Sequence, residues 1–173
     1  MTAPIVLSVG TTHPWNVAGV GRDLLVGADL GARVFTAVAA VSSQDHTGVR
    51  ELHPIPAAVL RSELAALPWE AAGAIRTGAL ATLENVRAVA EVLRAHPEIP
   101  AVVDPVFRAS RGGELADAAA RYAIRDEVAT ASNVVLTPNL DEAADLLGGE
   151  PIVRDTQAEA AAALQRRGAF AVL

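Results

Sequence analysis

VVLTPNLDEAADLLG, residues 134–148, passes from a short apolar run through Thr137-Pro138 into a helical pattern that opens at Asn139. The segment therefore reads as strand, tight turn, helix. The unpaired N–H groups and partial positive charge of such a helix start favour an anion. The first turn nevertheless carries Asp141 and Glu142. Two carboxylates beside an anion site make chemical sense if a divalent cation lies between them and a phosphate. The plainer reading stands beside it: Asn139 is a good N-cap, and first-turn acids complement the helix dipole without any ligand.

Working outward, strands and helices alternate. Strands are predicted over residues 5–9, 34–41, 49–52, 73–76, 101–103 and 169–173, and helices over 18–30, 57–67, 82–96 and 115–131. In the helix over 82–96, Leu83, Val86, Val89, Ala90 and Leu93 follow helical spacing behind a Thr82 cap. Thr156-x-x-Glu159 predicts a capping box for one further helix that stops at Gly168. The runs over 5–9, apolar but for Ser8, and over 101–103 read as strands buried on both faces. The alternation predicts a single α/β domain over 1–173 with a mainly parallel central sheet. Ligands of such sheets lie at the carboxyl ends of the strands. That rule selects residues 10–12, Gln44, Thr77-Gly78, Asp104 and residues 139–142.

With 51% apolar residues in 173, the chain can bury a sizeable core, and no apolar run is long enough to span a bilayer. The N-terminus MTAPIVLSVG lacks a basic region ahead of its apolar stretch, so a secretory signal is not expected and the cytoplasm is the default. There is no cysteine, which excludes disulfides, thiolate ligands and a thiol nucleophile. All 14 basic residues are Arg, which excludes a P-loop lysine and Schiff-base chemistry. A net charge of −6 without an Arg-aromatic cluster argues against nucleic acid. Gly19-x-Gly21 is no dinucleotide fingerprint, because Leu24 stands where the third glycine belongs. His13, His46, His53 and His96 show no metal-ligand spacing; His13 and His46 could touch a ligand from their loops, although a solvated loop histidine is the commoner case. Asp104-Pro105, ahead of the glycine-containing loop 108–113, could face a phosphate-metal group from the side opposite Asn139 and Glu142, or simply terminate its strand. The short strand over 49–52 could pair with a second subunit or form an ordinary sheet edge.

Four ordered segments resemble the hydroxymethylpyrimidine/phosphomethylpyrimidine kinases of the ribokinase-like superfamily. They are GARVFTAVAAVSSQDHTGV (31–49), AIRTGAL (74–80), VVDPVFRASRGGEL (102–115) and LTPNLDEAADLLG (136–148). The resemblance implies a three-layer α/β/α fold, incomplete at the C-terminus, and transfer of the ATP γ-phosphate to hydroxymethylpyrimidine or its phosphate in thiamine biosynthesis. It assigns Gly10, Asp23, Gln44 and Ala79 to the pyrimidine pocket. Asn139 and Glu142, with Asp104, are assigned to the nucleotide phosphates and Mg2+, with Glu142 and Asp104 as the metal acids.

Three departures accompany it. The family's N-terminal loop resembles GSDSSGGAGIQAD, whereas this chain reads GTTHPWNVAGVGRD, so that Trp15 and His13 would reshape the pocket. Ala79 replaces a methionine, and a lysine is lost from Ala109-Ser110-Arg111-Gly112, where Arg111 or Arg108 could supply the charge. The family's glycine-rich anion hole, with its catalytic Asp or Cys, falls beyond Leu173, so the 173-residue chain alone is expected to be a poor kinase or none. Pyridoxal kinase, or another ribokinase-like kinase, and a non-catalytic pyrimidine-binding protein are the alternative readings.

Overall fold

The computed structural model describes residues 3–173. Seven strands form one sheet in the order β3-β2-β1-β4-β5-β6-β7. They are β1 (Ile5–Thr12), β2 (Arg33–Asp45), β3 (Gly48–Pro54), β4 (Ala74–Thr77), β5 (Ala101–Val103), β6 (Val134–Leu136) and β7 (Ala171–Val172). All pairings are parallel except β2 with β3. The helices are α1 (Gly19–Asp29), α2 (Ala57–Ala65), α3 (Leu83–Ala95), α4 (Ala118–Ala123), α5 (Leu140–Leu147) and α6 (Gln157–Gln165).

The order of the strands sets the layers. The chain moves one way from β1 to β2 through α1, and the other way from β4 to β7. Right-handed crossovers then put α1 on one face and the remaining helices on the other. Alternate residues agree with this. Val9, Ala37, Ala39, Ile75, Ala101 and Val103 enter the main core with Leu60, Leu64, Val86 and Leu93. Val34 faces Gly27 of α1, where a Cβ would lie 2.2 Å from the valine methyl. On the α1 side, register aligns Ser8 with Arg76 and Arg76 with Val102.

Four expectations need correction. Strand β5 is not buried on both faces: Ala101 and Val103 are buried, but Val102 is 39% exposed because α1 covers β1 and β2 rather than β5. The helix expected over 115–131 begins only at Ala118. Leu115 N–H donates to Phe107 O and Asp117 N–H to Ala81 O, so this stretch pairs with loops, and Asp117 then caps α4 through Ala120 N–H (2.7 Å). After Ala123 the chain widens into a π turn, Ile124–Val128. Thr156 makes no side-chain cap to α6, because its hydroxyl is engaged with Val153 N–H and C=O across a 3₁₀ turn. Strand β2 also runs on through the polar residues 42–45, since the antiparallel hairpin with β3 satisfies their backbone groups. Thr82 caps α3 as expected. No described helix is long and apolar enough to cross a membrane.

Candidate functional site

Residues selected as strand ends meet along the carboxyl edge of the sheet. A cavity of about 460 Å³ opens there between the loop after β1, the β2–β3 hairpin, Gly78-Ala79 and the loop after β5. Its wall includes Thr11, His13, Trp15, Gln44, Arg76, Ala79, Asp104 and Arg111. Gln44 and Ala79 both line this cavity. Gly10 lies behind the wall: a Cβ there would meet Gly78 N at 3.5 Å. Asp23, on α1, turns its carboxylate to Ser8 Oγ (2.6 Å) and Arg76 Nη1 (3.2 Å).

Arg76 is the residue that pattern reasoning overlooked. It interrupts the four-residue strand AIRT on the α1 face, and its Nη2 donates to Asp104 Oδ2 at 3.0 Å. One guanidinium therefore bridges Asp23 and Asp104. The close approach depends on Gly78, since a Cβ there would fall 2.6 Å from Arg76 Nη1. A lone charge inside an otherwise uncharged short strand was the available signal. Burial pushes the Asp104 carboxyl above its ordinary range; Arg76 opposes that shift and Asp23 adds to it.

Asn139 and Glu142 lie at the end of the neighbouring strand, outside the cavity wall. Asn139 Oδ1 accepts from Glu142 N–H (3.0 Å), and Glu142 Oε2 accepts from Asn139 N–H (2.9 Å). This reciprocal box is the plain capping role anticipated for the turn. It does not account for the electrostatics. Glu142 is only 8% exposed, and its pKa is pushed up to about 7, first by burial and then by Asp104 and Asp141, against the hydrogen bond from Asn139. A capping carboxylate alone would sit in its ordinary range near solvent. Here Asp104, at the adjacent strand end, adds to the cost of ionising the buried Glu142.

Among the described residues, no group of three or more His, Asp or Glu side chains converges as a protein-only metal cage. The oxygen donors of Asp104 and Glu142 nevertheless suit Mg2+, which commonly takes one or two carboxylates and completes its shell with water and phosphate.

The wall loop after β5 is fixed by ion pairs. Arg108 meets Glu114 (3.0 Å) and Asp145 of α5 (3.8 Å), and Arg121 of α4 joins the same two acids. Arg111 makes no ion pair among the described residues and is exposed on the cavity wall.

Residues 14–173 match the family model described as phosphomethylpyrimidine kinase. The chain belongs to the phosphomethylpyrimidine kinase family. It is 36% identical over 170 residues to a hydroxymethylpyrimidine/phosphomethylpyrimidine kinase of Mycobacterium leprae, covering 96% of this chain and 61% of that protein. This family member thus spans about three-fifths of the relative's length. The phosphomethylpyrimidine kinase of Clostridium difficile superposes with a TM-score of 0.87 at 21% identity, over 98% of this chain and 74% of that one. The pyridoxal kinase of Staphylococcus aureus, solved with AMP-PCP and pyridoxal, superposes with a TM-score of 0.84 at 26% identity, over 98% and 61%. The fold is therefore the ribokinase-like α/β fold.

Proposed function

We propose that this chain carries the acceptor cavity and the metal-nucleotide edge of a kinase that transfers the γ-phosphate of ATP to hydroxymethylpyrimidine or its phosphate in thiamine biosynthesis. One observation carries the reading: Asp104 belongs both to the cavity wall and to the acid pair with Glu142. An acceptor hydroxyl bound in the cavity lies beside the acids suited to a metal-nucleotide. Kinase catalysis is mostly such positioning together with charge stabilisation.

The same reading assigns individual roles. The Gln44 amide supplies hydrogen bonds for ring nitrogens, Ala79 and Gly10 allow close approach to the sheet edge, and Asp23 acts from below through Arg76. Asn139 orients Glu142, while Asp104 and Glu142 would hold Mg2+, which neutralises phosphate charge when bound. Arg111 supplies a cation for a phosphate already present on the acceptor. A single domain, a cytoplasmic setting and a homodimer formed along the β3 edge belong to the same proposal; the absence of cysteine and the outer position of β3 support the last two.

Pyridoxal kinase is the second reading, favoured by the Staphylococcus neighbour and by the rebuilt loop after β1. Without lysine the cavity cannot capture an aldehyde as an imine. The test is ATP consumption by the natural protein with hydroxymethylpyrimidine, its phosphate, pyridoxal and sugars, alongside calorimetry with a non-hydrolysable ATP analogue. The pyrimidines should be the best acceptors. A preference for sugars refutes the reading, a preference for pyridoxal selects the alternative, and acceptor binding without transfer marks a non-catalytic binding protein.

A further inference from the structure

The loop after β1 is built with more constraint than a simple connection requires. His13 is 4% exposed, and its Nε2 accepts from Ala18 N–H at 3.2 Å, pinning both ends of the loop together. Asn16 adopts a positive φ of 48° and donates a further backbone bond to His13 O. Glycine is required at the exit: Gly19 has φ +63°, and a Cβ there would lie 2.2 Å from Thr11 O. At Gly21 a Cβ would lie 1.9 Å from Asn16 Oδ1.

This rigid frame presents Trp15, a large apolar side chain left 55% exposed on the cavity wall. Across from it stands His46, at the tip of the β2–β3 hairpin, with ring centroids 5.7 Å apart and a tilt of 37°. The hairpin is itself seated on the loop after β5, where Gly48 approaches Arg111 O and Val49 N–H meets Gly112 O. Two rings held on anchored loops at a cavity mouth form a surface for a planar ligand. Exposing an aromatic ring on a pre-ordered loop gives stacking area at little entropic cost.

We infer that Trp15, packed against His46, presents an aromatic platform that selects a planar heteroaromatic acceptor by stacking, making Trp15 a specificity-determining residue. The inference rests on the acceptor-cavity reading above and names the feature of the acceptor that the mouth recognises. It distinguishes a flat ring from a puckered sugar alcohol with similar hydroxyl groups.

Tryptophan fluorescence tests it directly. The other tryptophan of these 173 residues, Trp69, stacks on His96 (4.5 Å between centroids) away from the cavity, so Trp69→Phe leaves Trp15 as the one indole among them. Titration of that variant with hydroxymethylpyrimidine should quench Trp15 emission saturably, with the Kd found by calorimetry on the unmodified protein. Ribose should produce no such change. Trp15→Ala, at an exposed position, should fold normally and bind the pyrimidine about three- to ten-fold more weakly, with Trp15→Phe restoring most of the loss. Calorimetric binding with unchanged Trp15 emission, or an unaltered Kd in Trp15→Ala, overturns the stacking platform while leaving the acceptor reading intact. Failure of pyrimidine and pyridoxal to bind the unmodified protein overturns both.

Discussion

Replacing Glu142 with Gln should stabilise the protein at alkaline pH while weakening the metal binding proposed for it. The folded carboxyl titrates at about 7, against a reference of 4.5 for an unconstrained Glu. Between those values the folded state binds more protons than the unfolded state, so stability falls as pH rises. The favourable contribution is complete below about pH 4.5 and lost above about 7. At ~1.36 kcal/mol per unit, the full span is about 3 kcal/mol, and about 2.5 kcal/mol of it develops between pH 5 and pH 8. Glutamine keeps the cap, because its carbonyl oxygen can accept from Asn139 N–H as Glu142 Oε2 does at 2.9 Å. The buried charge is what the substitution removes.

Urea denaturation of both proteins at pH 5 and pH 8 measures the effect. The stability of Glu142→Gln relative to the parent should rise by about 2.5 kcal/mol from the lower pH to the higher. Added Mg2+ should stabilise the parent at pH 8 and leave the variant unchanged, since a cation relieves the cost only where the carboxylate exists. A relative change below about 0.5 kcal/mol, or a variant that loses ground at pH 8, would refute the account of Glu142.

Asn139→Ala removes the other half of the capping box and should cost about 1 kcal/mol in urea denaturation. It should also weaken binding of a metal-nucleotide in calorimetry, because Glu142 loses its orienting partner. Arg76→Met strips Asp23 and Asp104 of their shared cation; the Asp104 carboxyl should titrate still higher by carbon-detected NMR, whereas Arg76→Lys should restore part of the shift. Gly19→Ala forces a side chain into a φ of +63° and a backbone oxygen 2.2 Å away, so thermal denaturation should register a loss of about 2 to 3 kcal/mol or a failure to fold.

The parallel frame was legible because its strands are short, mostly apolar runs: residues 101–103 and the core of β1 are read directly from composition. Helix α5 was legible for a different reason, since Asn139 and Glu142 satisfy each other locally and need no distant partner. What stayed hidden depends on neighbours. Whether Val102 is covered depends on where α1 lies, and α1 follows from strand order rather than from residues near Val102. The late start of α4 is set by bonds from 115–117 to Phe107 and Ala81, which local periodicity does not encode. Thr156 carried the correct residue type for a cap but spent its hydroxyl on Val153.

The candidate site shows the same division, and it explains why Arg76 was missed. Read singly, Asp23, Arg76, Asp104 and Glu142 are a helix acid, a strand cation, a strand-end acid and a capping acid. Register brings Arg76 beside Ser8, α1 lowers Asp23 onto both, and Gly78 leaves room for the guanidinium to reach Asp104. One arginine then serves two carboxylates, so the acid pair formed by Asp104 and Glu142 remains short of positive charge. Burial raises both groups instead of leaving them comfortably ionised. A structural network would be expected to balance its charges internally. An edge that keeps two acids under-compensated next to a 460 Å³ cavity is better suited to a cation that arrives with its ligand.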